Sequence, residues 1–201
     1  MKKLLLVFLA LISFTTFMGC EKIQSNTIKS ATELVYESLS EKEEYLLNLT
    51  GNKVLMYKLN NIPGDKKYEI LLTYEVYEKG EKVKEESIMG IMQDSPSGEM
   101  ENKTIGINFQ NGKMKTLVGS KSGYSSNSYD VEEDLSKYSQ AFLVNDINLI
   151  IGTEVYIYYA NSVNSISTSI PLGVPIDLNV TKDILKDSES NILIKLSFKE
   201  K

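Results

Sequence analysis

Apolar and polar side chains alternate along much of the chain after residue 53. In the segment KKYEILLTYEVYEKG every second position is apolar, namely Tyr68, Ile70, Leu72, Tyr74 and Val76. A period of two in aromatic and β-branched residues is typical of a strand that buries one face. A turn at 78–81 follows, and the segment at 83–92, whose last six residues carry no charge, is expected to return beside the first strand as an antiparallel hairpin.

The clearest turn signal is Asn111-Gly112, which separates two further alternating runs in TIGINFQNGKMKTLVG. Asn-Gly favours a type I′ turn, because the backbone twist of that turn matches the twist of paired strands. A two-residue loop also sets the register. The predicted cross-strand pairs, which share one face, are Phe109 with Met114, Ile107 with Thr116 and Ile105 with Val118.

The remaining segments predict short strands and one short helix. Strand patterns recur at 141–144, 147–151, 154–160, 176–180 and 192–198. Capping-box spacing at 30–33 predicts a helix that continues or restarts from Ser40 to Leu49. Roughly seven to nine short strands with few helices predict a mainly β fold. We expect an antiparallel β-sandwich of immunoglobulin-like type with a short N-terminal helix.

Residues 120–140 break the alternation, because they are rich in Ser, Tyr and acidic residues and poor in aliphatic ones. This composition predicts a long exposed loop that is dispensable for folding. Tyrosine is a stiff, amphipathic contact residue that is favoured in recognition surfaces. The alternative is that the tyrosines pack against the sandwich. The candidate recognition residues are Tyr124, Tyr129 and Tyr138 in the loop, and Tyr156 and Tyr158, which are expected to share one face of a later strand.

Four acidic residues of the same segment, Asp130, Glu132, Glu133 and Asp134, suggest a Ca²⁺ site at first sight. Hard cations take oxygen ligands, but the spacing is not that of an EF-hand and the glycine that such a loop requires is absent. A solvated acidic stretch is the simpler interpretation, so no metal site is predicted.

The composition excludes several kinds of catalysis. The chain has no histidine and a single cysteine, and it contains neither Ser-x-x-Lys nor a glycine-rich phosphate loop. Imidazole-based triads and HExxH metal sites are therefore excluded, and no catalytic residue or cofactor is predicted. Carboxylate pairs remain as an alternative, either Glu69 with Glu75 or Glu85 with Glu86. The net charge of −5 argues against a nucleic-acid partner.

The first twenty residues have the organisation of an export signal. Two lysines precede an apolar run at 4–18, which is too short to span a bilayer. The run leads into FMGC at 17–20, which resembles the lipobox of bacterial lipoproteins. The resemblance implies that the Cys20 thiol carries a diacylglyceryl group with fatty acyl chains such as palmitate. It also implies that the signal is cut just before Cys20.

The resemblance implies a signal peptide at 1–19 and a lipid on Cys20. The polar, aperiodic residues that follow predict a lipidated tether at 20–29, and the length and composition of the remainder predict a single β-rich domain at 30–201. It implies an extracytoplasmic protein that lipid on Cys20 holds to a bacterial cell membrane. We therefore expect a non-enzymatic binding module of the cell envelope, with a protein, peptide or glycan as its partner. The alternative is a carboxylate-dependent hydrolase that acts on cell-wall or carbohydrate substrates.

Replacement Cys20→Ala should abolish acylation, because the chain then has no thiol to carry the lipid. The unaltered chain should incorporate a palmitate analogue and sediment with membranes, whereas the variant should lack the label. Metabolic labelling followed by cell fractionation measures both properties. A Cys20→Ala chain that is still acyl-labelled and unchanged in size would contradict the lipobox interpretation.

Overall fold

The computed structural model describes residues 31–110, 112–120, 123–162 and 170–201. The predicted signal peptide and tether, including Cys20, lie outside these residues. Among the described residues, no helix combines the length and the apolar character that crossing a membrane requires.

Eleven strands, two α-helices and one 3₁₀ helix make up the secondary structure of the described residues. The strands are β1 (Thr32–Tyr36), β2 (Lys53–Ile62), β3 (Tyr68–Glu78), β4 (Glu81–Gln93), β5 (Glu101–Gln110), β6 (Lys113–Ser120), β7 (Gly123–Asp130), β8 (Tyr138–Phe142), β9 (Ile147–Leu149), β10 (Thr153–Ser162) and β11 (Ser190–Glu200). The helices are α1 (Glu41–Leu49), α2 (Leu178–Leu185) and a 3₁₀ turn at Leu135–Lys137. The predicted mainly β class is confirmed.

The strands form two antiparallel sheets. Sheet A has six strands in the order β7-β6-β5-β2-β1-β9, and sheet B has five in the order β4-β3-β11-β10-β8. Apolar side chains from both sheets form one buried cluster, which we call the shared core. The sheets therefore pack face to face in a sandwich-like arrangement.

Aromatic side chains join the two sheets across the shared core. The ring of Phe109 on β5 stacks on the ring of Tyr158 on β10, with centroids 4.8 Å apart. The hydroxyl of Tyr57 on β2 donates a hydrogen bond of 3.1 Å to the carbonyl oxygen of Leu143, which follows β8. Stacked rings and a satisfied buried hydroxyl hold the sheets at a defined separation.

Both hairpins that the alternation predicted are present. The five apolar side chains of β3 that were expected to share a face all lie in the shared core. Strands β5 and β6 pair in the predicted register, with Phe109 opposite Met114, Ile107 opposite Thr116 and Ile105 opposite Val118. Gly112, in the predicted turn, has a φ of +68°, which glycine adopts without steric cost.

The capping-box spacing at 30–33 does not start a helix. Residues Thr32–Tyr36 form β1, which lies between β2 and β9 and buries Leu34 completely. Tertiary pairing here overrides the local helix signal. The helix begins instead after Ser40, whose hydroxyl accepts a hydrogen bond from the N–H of Glu43 while the Glu43 carboxylate accepts one from the Ser40 N–H. The predicted restart at Ser40 is thus confirmed.

The strand predicted at 176–180 is wrong. Asp177 caps helix α2 through its side chain, and α2 covers the outer face of sheet B. Thr181 and Leu185 are buried and Ile184 is partly buried, which is the spacing of one helix face. Together with side chains of β3, β10 and β11, this helix face forms a second apolar cluster, which we call the outer cluster.

The loop predicted at 120–140 is also wrong. Residues Gly123–Asp130 form β7, which pairs with β6 along its whole length, and the 3₁₀ turn and the start of β8 follow. Every residue of β7 except Tyr129 is exposed. An edge strand that buries almost no side chain needs no apolar alternation, so its composition resembles that of a loop. Shortening the segment would therefore remove part of a paired strand and not only a connection.

The buried tyrosines Tyr57 and Tyr158 differ in whether their hydroxyl groups are satisfied. The Tyr57 hydroxyl bonds to Leu143, whereas the Tyr158 hydroxyl has no hydrogen-bond partner among the described residues. Tyr57→Phe should therefore lower the free energy of unfolding by ~1 kcal/mol, and Tyr158→Phe should raise it by a similar amount. Urea unfolding measures both changes. Loss of stability in both variants would contradict the assignment of an unsatisfied hydroxyl to Tyr158.

Candidate binding groove

A groove of about 380 Å³ runs along one side of the two packed sheets. One wall is formed by β4, the edge strand of sheet B, and the other by β6 and β7 at the edge of sheet A. The volume lies within the range of ligand-binding clefts. The groove therefore lies between β4 and β7, the outermost strands of the two sheets among the described residues.

The floor of the groove is apolar and well packed. Met89 and Ile91 of β4 are buried, and Val118 of β6 packs against the shared core. The buried hydroxyl of Thr116 on β6 donates a hydrogen bond of 2.9 Å to the carbonyl oxygen of Ile88 on β4. This bond ties sheet A to sheet B at the groove and holds its two walls at a set distance.

The wall formed by β7 is polar and accessible. Gly123, Ser125, Ser126 and Asn127 line the groove, and all of them are exposed. Tyr124 stands beside them at the rim with 77% of its surface exposed. Small polar side chains leave the strand backbone accessible, and an exposed tyrosine offers a large contact area at low entropic cost.

The groove is nearly neutral although the chain is acidic. Its charged lining residue is Lys103, whose ammonium nitrogen lies 2.6 Å from Oε2 of Glu101. Residues 123–129 of β7 carry no charge. An apolar floor, a polar wall and balanced charge suit an amphipathic or uncharged ligand.

Of the five tyrosines that the sequence singled out, Tyr124 lines the groove, and the others take part in packing. Tyr129 is half-buried and packs against the shared core. Tyr138 also packs there, and its hydroxyl donates a hydrogen bond of 3.0 Å to Oγ of Ser190. For these two residues the structure agrees with the alternative interpretation, in which loop tyrosines pack against the sheets.

Tyr156 and Tyr158 do not share a face, so that prediction is wrong. The ladder between β10 and β11 shifts register between them, with Tyr156 opposite Lys195 and Tyr158 opposite Ile194. The extra residue, Ile157, forms a β-bulge that breaks the alternation. Tyr158 therefore lies in the shared core and Tyr156 in the outer cluster, and both are buried.

Sequence reasoning missed the β4 side of the groove. Met89, Gly90 and Ile91 have no local signal of function, because they contribute to a site only once β4 and β7 become neighbouring edges. The one usable signal was the run of Ser, Asn and Tyr at 123–129, which marks an accessible surface whether the segment is a loop or a strand.

A buried carboxylate lies on the outer face of sheet B, away from the groove. Glu75 of β3 is fully buried, and the ammonium nitrogens of Lys82 and Lys195 lie 2.9 Å and 2.8 Å from its Oε1. The hydroxyls of Tyr77 and Tyr156 donate hydrogen bonds of 3.0 Å and 3.3 Å to its Oε2. Two cations and two donors thus satisfy both carboxylate oxygens, as a buried charge requires.

Burial by itself raises the pKa of Glu75, but the hydrogen bonds and ion pairs from Lys195 and Lys82 outweigh burial and lower that pKa overall. The carboxylate is therefore ionised at neutral pH. A glycosidase needs one carboxyl group with a raised pKa to donate a proton, so Glu75 is unsuited to that role. Burial, followed by the charge of Glu75, raises the pKa of Tyr156, whose hydroxyl remains a donor.

Two of the four acidic residues at 130–134 make hydrogen bonds within the domain. Glu133 accepts a hydrogen bond of 2.9 Å from the Tyr74 hydroxyl. Asp134 accepts one of 2.6 Å from the Ser136 hydroxyl at the start of the 3₁₀ turn. In the part of the chain that the structure describes, no group of three or more acidic, histidine or cysteine residues is placed to hold a metal ion.

No protein-family model, curated protein or solved structure matches the chain. The fold and the groove by themselves define its class, a domain of two packed antiparallel sheets with an open groove between two sheet edges. The functional argument therefore rests on the geometry of that groove.

Replacement Glu75→Gln should destabilise the domain at neutral pH by ~3–5 kcal/mol, because Lys82 and Lys195 would lose their buried counter-charge. The folded-state pKa of Glu75 lies below its ordinary value of 4.5. The stabilisation is therefore complete above pH 4.5 and is lost as the pH falls through the folded-state pKa. Urea unfolding at pH 7 and at pH 3 should show a difference between variant and parent that shrinks in acid.

The matched control is Glu85→Gln. Glu85 is half-exposed and also contacts Lys82 at 2.9 Å, but an exposed pair contributes less than about 1 kcal/mol. Equal losses in the two variants, or a Glu75→Gln effect that does not depend on pH, would contradict the role assigned to Glu75.

Proposed function

We propose that the chain is a lipid-anchored extracytoplasmic lipoprotein of a bacterial cell envelope, and that its β-rich domain is a non-enzymatic binding module. The groove between β4 and β7 is the binding site. The observation that carries the proposal is the groove itself, with an apolar floor, a polar wall and the exposed Tyr124 at its rim. The partner is a protein, a peptide or a glycan.

Support for the anchor comes from the sequence. Lipid on Cys20 would supply the membrane affinity, since stable anchoring takes more than one acyl chain. A chain with a net charge of −5 gains nothing from anionic lipid headgroups. The polar tether at 20–29 would connect the lipid to the domain. Such a tether would keep the groove accessible to partners near the membrane surface.

Support for a binding role without catalysis comes from the side-chain chemistry. The chain has no histidine, and its one thiol is assigned to the lipid. The groove is lined by serine, threonine, asparagine and apolar residues, with one lysine that is already paired. Glu75 lies on the other face of sheet B with a lowered pKa. The acidic net charge supports a partner other than nucleic acid.

Immunoglobulin-like topology remains a hypothesis within the sandwich-like class. The face-to-face packing of two antiparallel sheets supports it. The two sheets together have eleven strands, which is more than the roughly seven to nine strands of immunoglobulin domains. If the hypothesis holds, the additional strands are insertions of this chain, and β7 at the end of sheet A would be one of them.

Arrays of peptides and of glycans, probed with the detergent-solubilised full chain, test the binding role. We expect saturable binding to members of one array. Tyr124→Ala should weaken that binding about tenfold or more, because a tyrosine that becomes buried when the partner binds is a typical hot spot. The matched control is Tyr45→Ala on α1, since Tyr45 is also largely exposed, at 65%, but lies outside the groove. An absence of binding to both arrays, or equal losses in the two variants, would refute the proposal.

A further inference from the structure

We infer that the groove binds an extended peptide segment of a partner protein, which adds to sheet A as a new strand beside β7. This inference rests on the proposed function, because it names the partner class for the same groove. Three observations support it: the backbone groups of β7, the contrast between the two edges that flank the groove, and the charges on β6.

Part of the β7 backbone faces away from β6. Among the described residues, β7 is the last strand of sheet A. Just beyond it, the Val131 N–H donates a hydrogen bond of 3.0 Å to the Gly112 carbonyl oxygen. In an antiparallel ladder, residues that bond to the neighbouring strand alternate with residues that do not. Counted along the unshifted register of β6 and β7, the N–H and C=O groups at the open edge belong to Tyr124, Ser126, Ser128 and Asp130.

Strand β7 lacks the features that usually protect an edge, which are charges, proline, bulges and short length. It has eight residues, no register shift against β6 and no charge before Asp130. Strand β4, on the other side of the groove, carries Lys82, Lys84, Glu85 and Glu86 and has two register shifts against β3. The contrast identifies β7 as the edge that is suited to pairing with another chain.

The groove floor defines the inner side chains of the added strand. Thr116 is buried, so Asn127, which lies opposite it on β7, is on the inner face of sheet A. Alternate side chains of a strand added beside β7 would lie on that same inner side, toward Met89 and Ile91 at the floor. Pockets beneath an added strand select side chains that match them, so the inner side chains of the peptide are apolar.

The outer face of sheet A favours acidic side chains. Lys115 is exposed on β6 and lies opposite Ser128 of β7. Serine is small, so the lysine side chain has a free path across β7 toward a strand about 10 Å from β6. Lys113 is less suitable because Asp130 lies opposite it. The occupant is therefore an extended segment that alternates apolar with acidic residues.

A second copy of this chain fits the edge less well than such a peptide. In a pair of β7 strands, each copy would present inner side chains such as Ser125 and Asn127 to the apolar floor of the other. Lys115 would meet serines instead of carboxylates, because the one acidic residue of β7 is Asp130 at its end. Self-pairing is therefore an outcome for the test to detect.

The test measures fluorescence anisotropy of three labelled decapeptides with the detergent-solubilised full chain. The first alternates valine with glutamate. In antiparallel addition its glutamates pair with Ser126 and Ser128, so glutamate amides bond to β7 and valine amides point away. The second peptide is N-methylated at the glutamates and the third at the valines. We expect saturable binding of the first and third, and binding of the second that is weaker by about tenfold or more.

The second part of the test uses substitutions in β7 and β6. Ser126→Pro removes an N–H at the open edge without removing a hydrogen bond to β6, and proline is tolerated at such positions. It should weaken binding of the valine–glutamate peptide by about tenfold or more, whereas Ser126→Thr, which keeps the N–H, should bind as the parent does. Lys115→Ala should weaken binding of this peptide but not of its valine–serine counterpart. Urea unfolding shows that each variant is folded.

Several results would overturn the inference. They are an absence of saturable binding of the valine–glutamate peptide, equal binding of the two methylated peptides, and unchanged binding by Ser126→Pro. Dimerisation in sedimentation that Ser126→Pro abolishes, without peptide binding, would make a second copy the occupant. If glycans bind through Tyr124 and peptides do not, the proposed function stands and this inference fails. If neither class binds, both fail.

Discussion

The shared apolar core between sheets A and B is the constraint on which the rest of the structure depends. Strands β2, β3, β5 and β11 each give one face to that core, and this requirement accounts for their period of two. Sheet B buries its outer face as well, because α2 and residues 170–176 cover it.

Strand β10 lies inside sheet B and contributes side chains to both the shared core and the outer cluster. The bulge at Ile157 lets Ile157 and Tyr158 both reach the shared core while Tyr156 and Tyr159 reach the outer cluster.

The sequence predicted the structure correctly where the burial pattern depends on residues close in the chain. It failed where burial depends on strands that are distant in the chain. The register of the β5–β6 hairpin follows from a two-residue turn between alternating runs, so it could be predicted to the residue. The bulge in β10 could not be predicted. All its central residues are apolar, so the sequence does not show where the side chains change from one face of the sheet to the other. Strand β7 was mistaken for a loop, because a strand with one partner and no covered face has no alternation to read. Tyr124 was found through its residue type alone.

The same reasoning explains why Glu75 was not recognised as a buried charge. On β3 it occupies the face opposite the shared core, where acidic side chains are normally exposed. It is buried because Tyr77, two residues away on β3, and Tyr156, on the distant strand β10, belong to the outer cluster around it. Lys82 and Lys195 come from the two strands that flank β3. A carboxylate enclosed by cross-strand cations ties three strands of sheet B together, but Lys195 and Tyr156 become its neighbours only through the strand order.

An unprotected edge has a cost, because it offers its backbone to any extended chain, including other copies of itself. The composition of β7 limits that cost. Serine, asparagine and glycine supply little apolar contact area, so two β7 strands would gain hydrogen bonds but few side-chain contacts, whereas stable self-assembly needs both. A partner that brings its own apolar residues gains the hydrogen bonds of β7 and, in addition, contact with the floor at Met89 and Ile91. In such a complex β7 supplies backbone hydrogen-bonding groups and the partner supplies apolar side chains. This difference favours binding of the partner over self-association. The serine-rich composition of β7 therefore has two effects. It removes the alternation by which a strand is recognised in the sequence, and it makes the open edge suited to selective pairing.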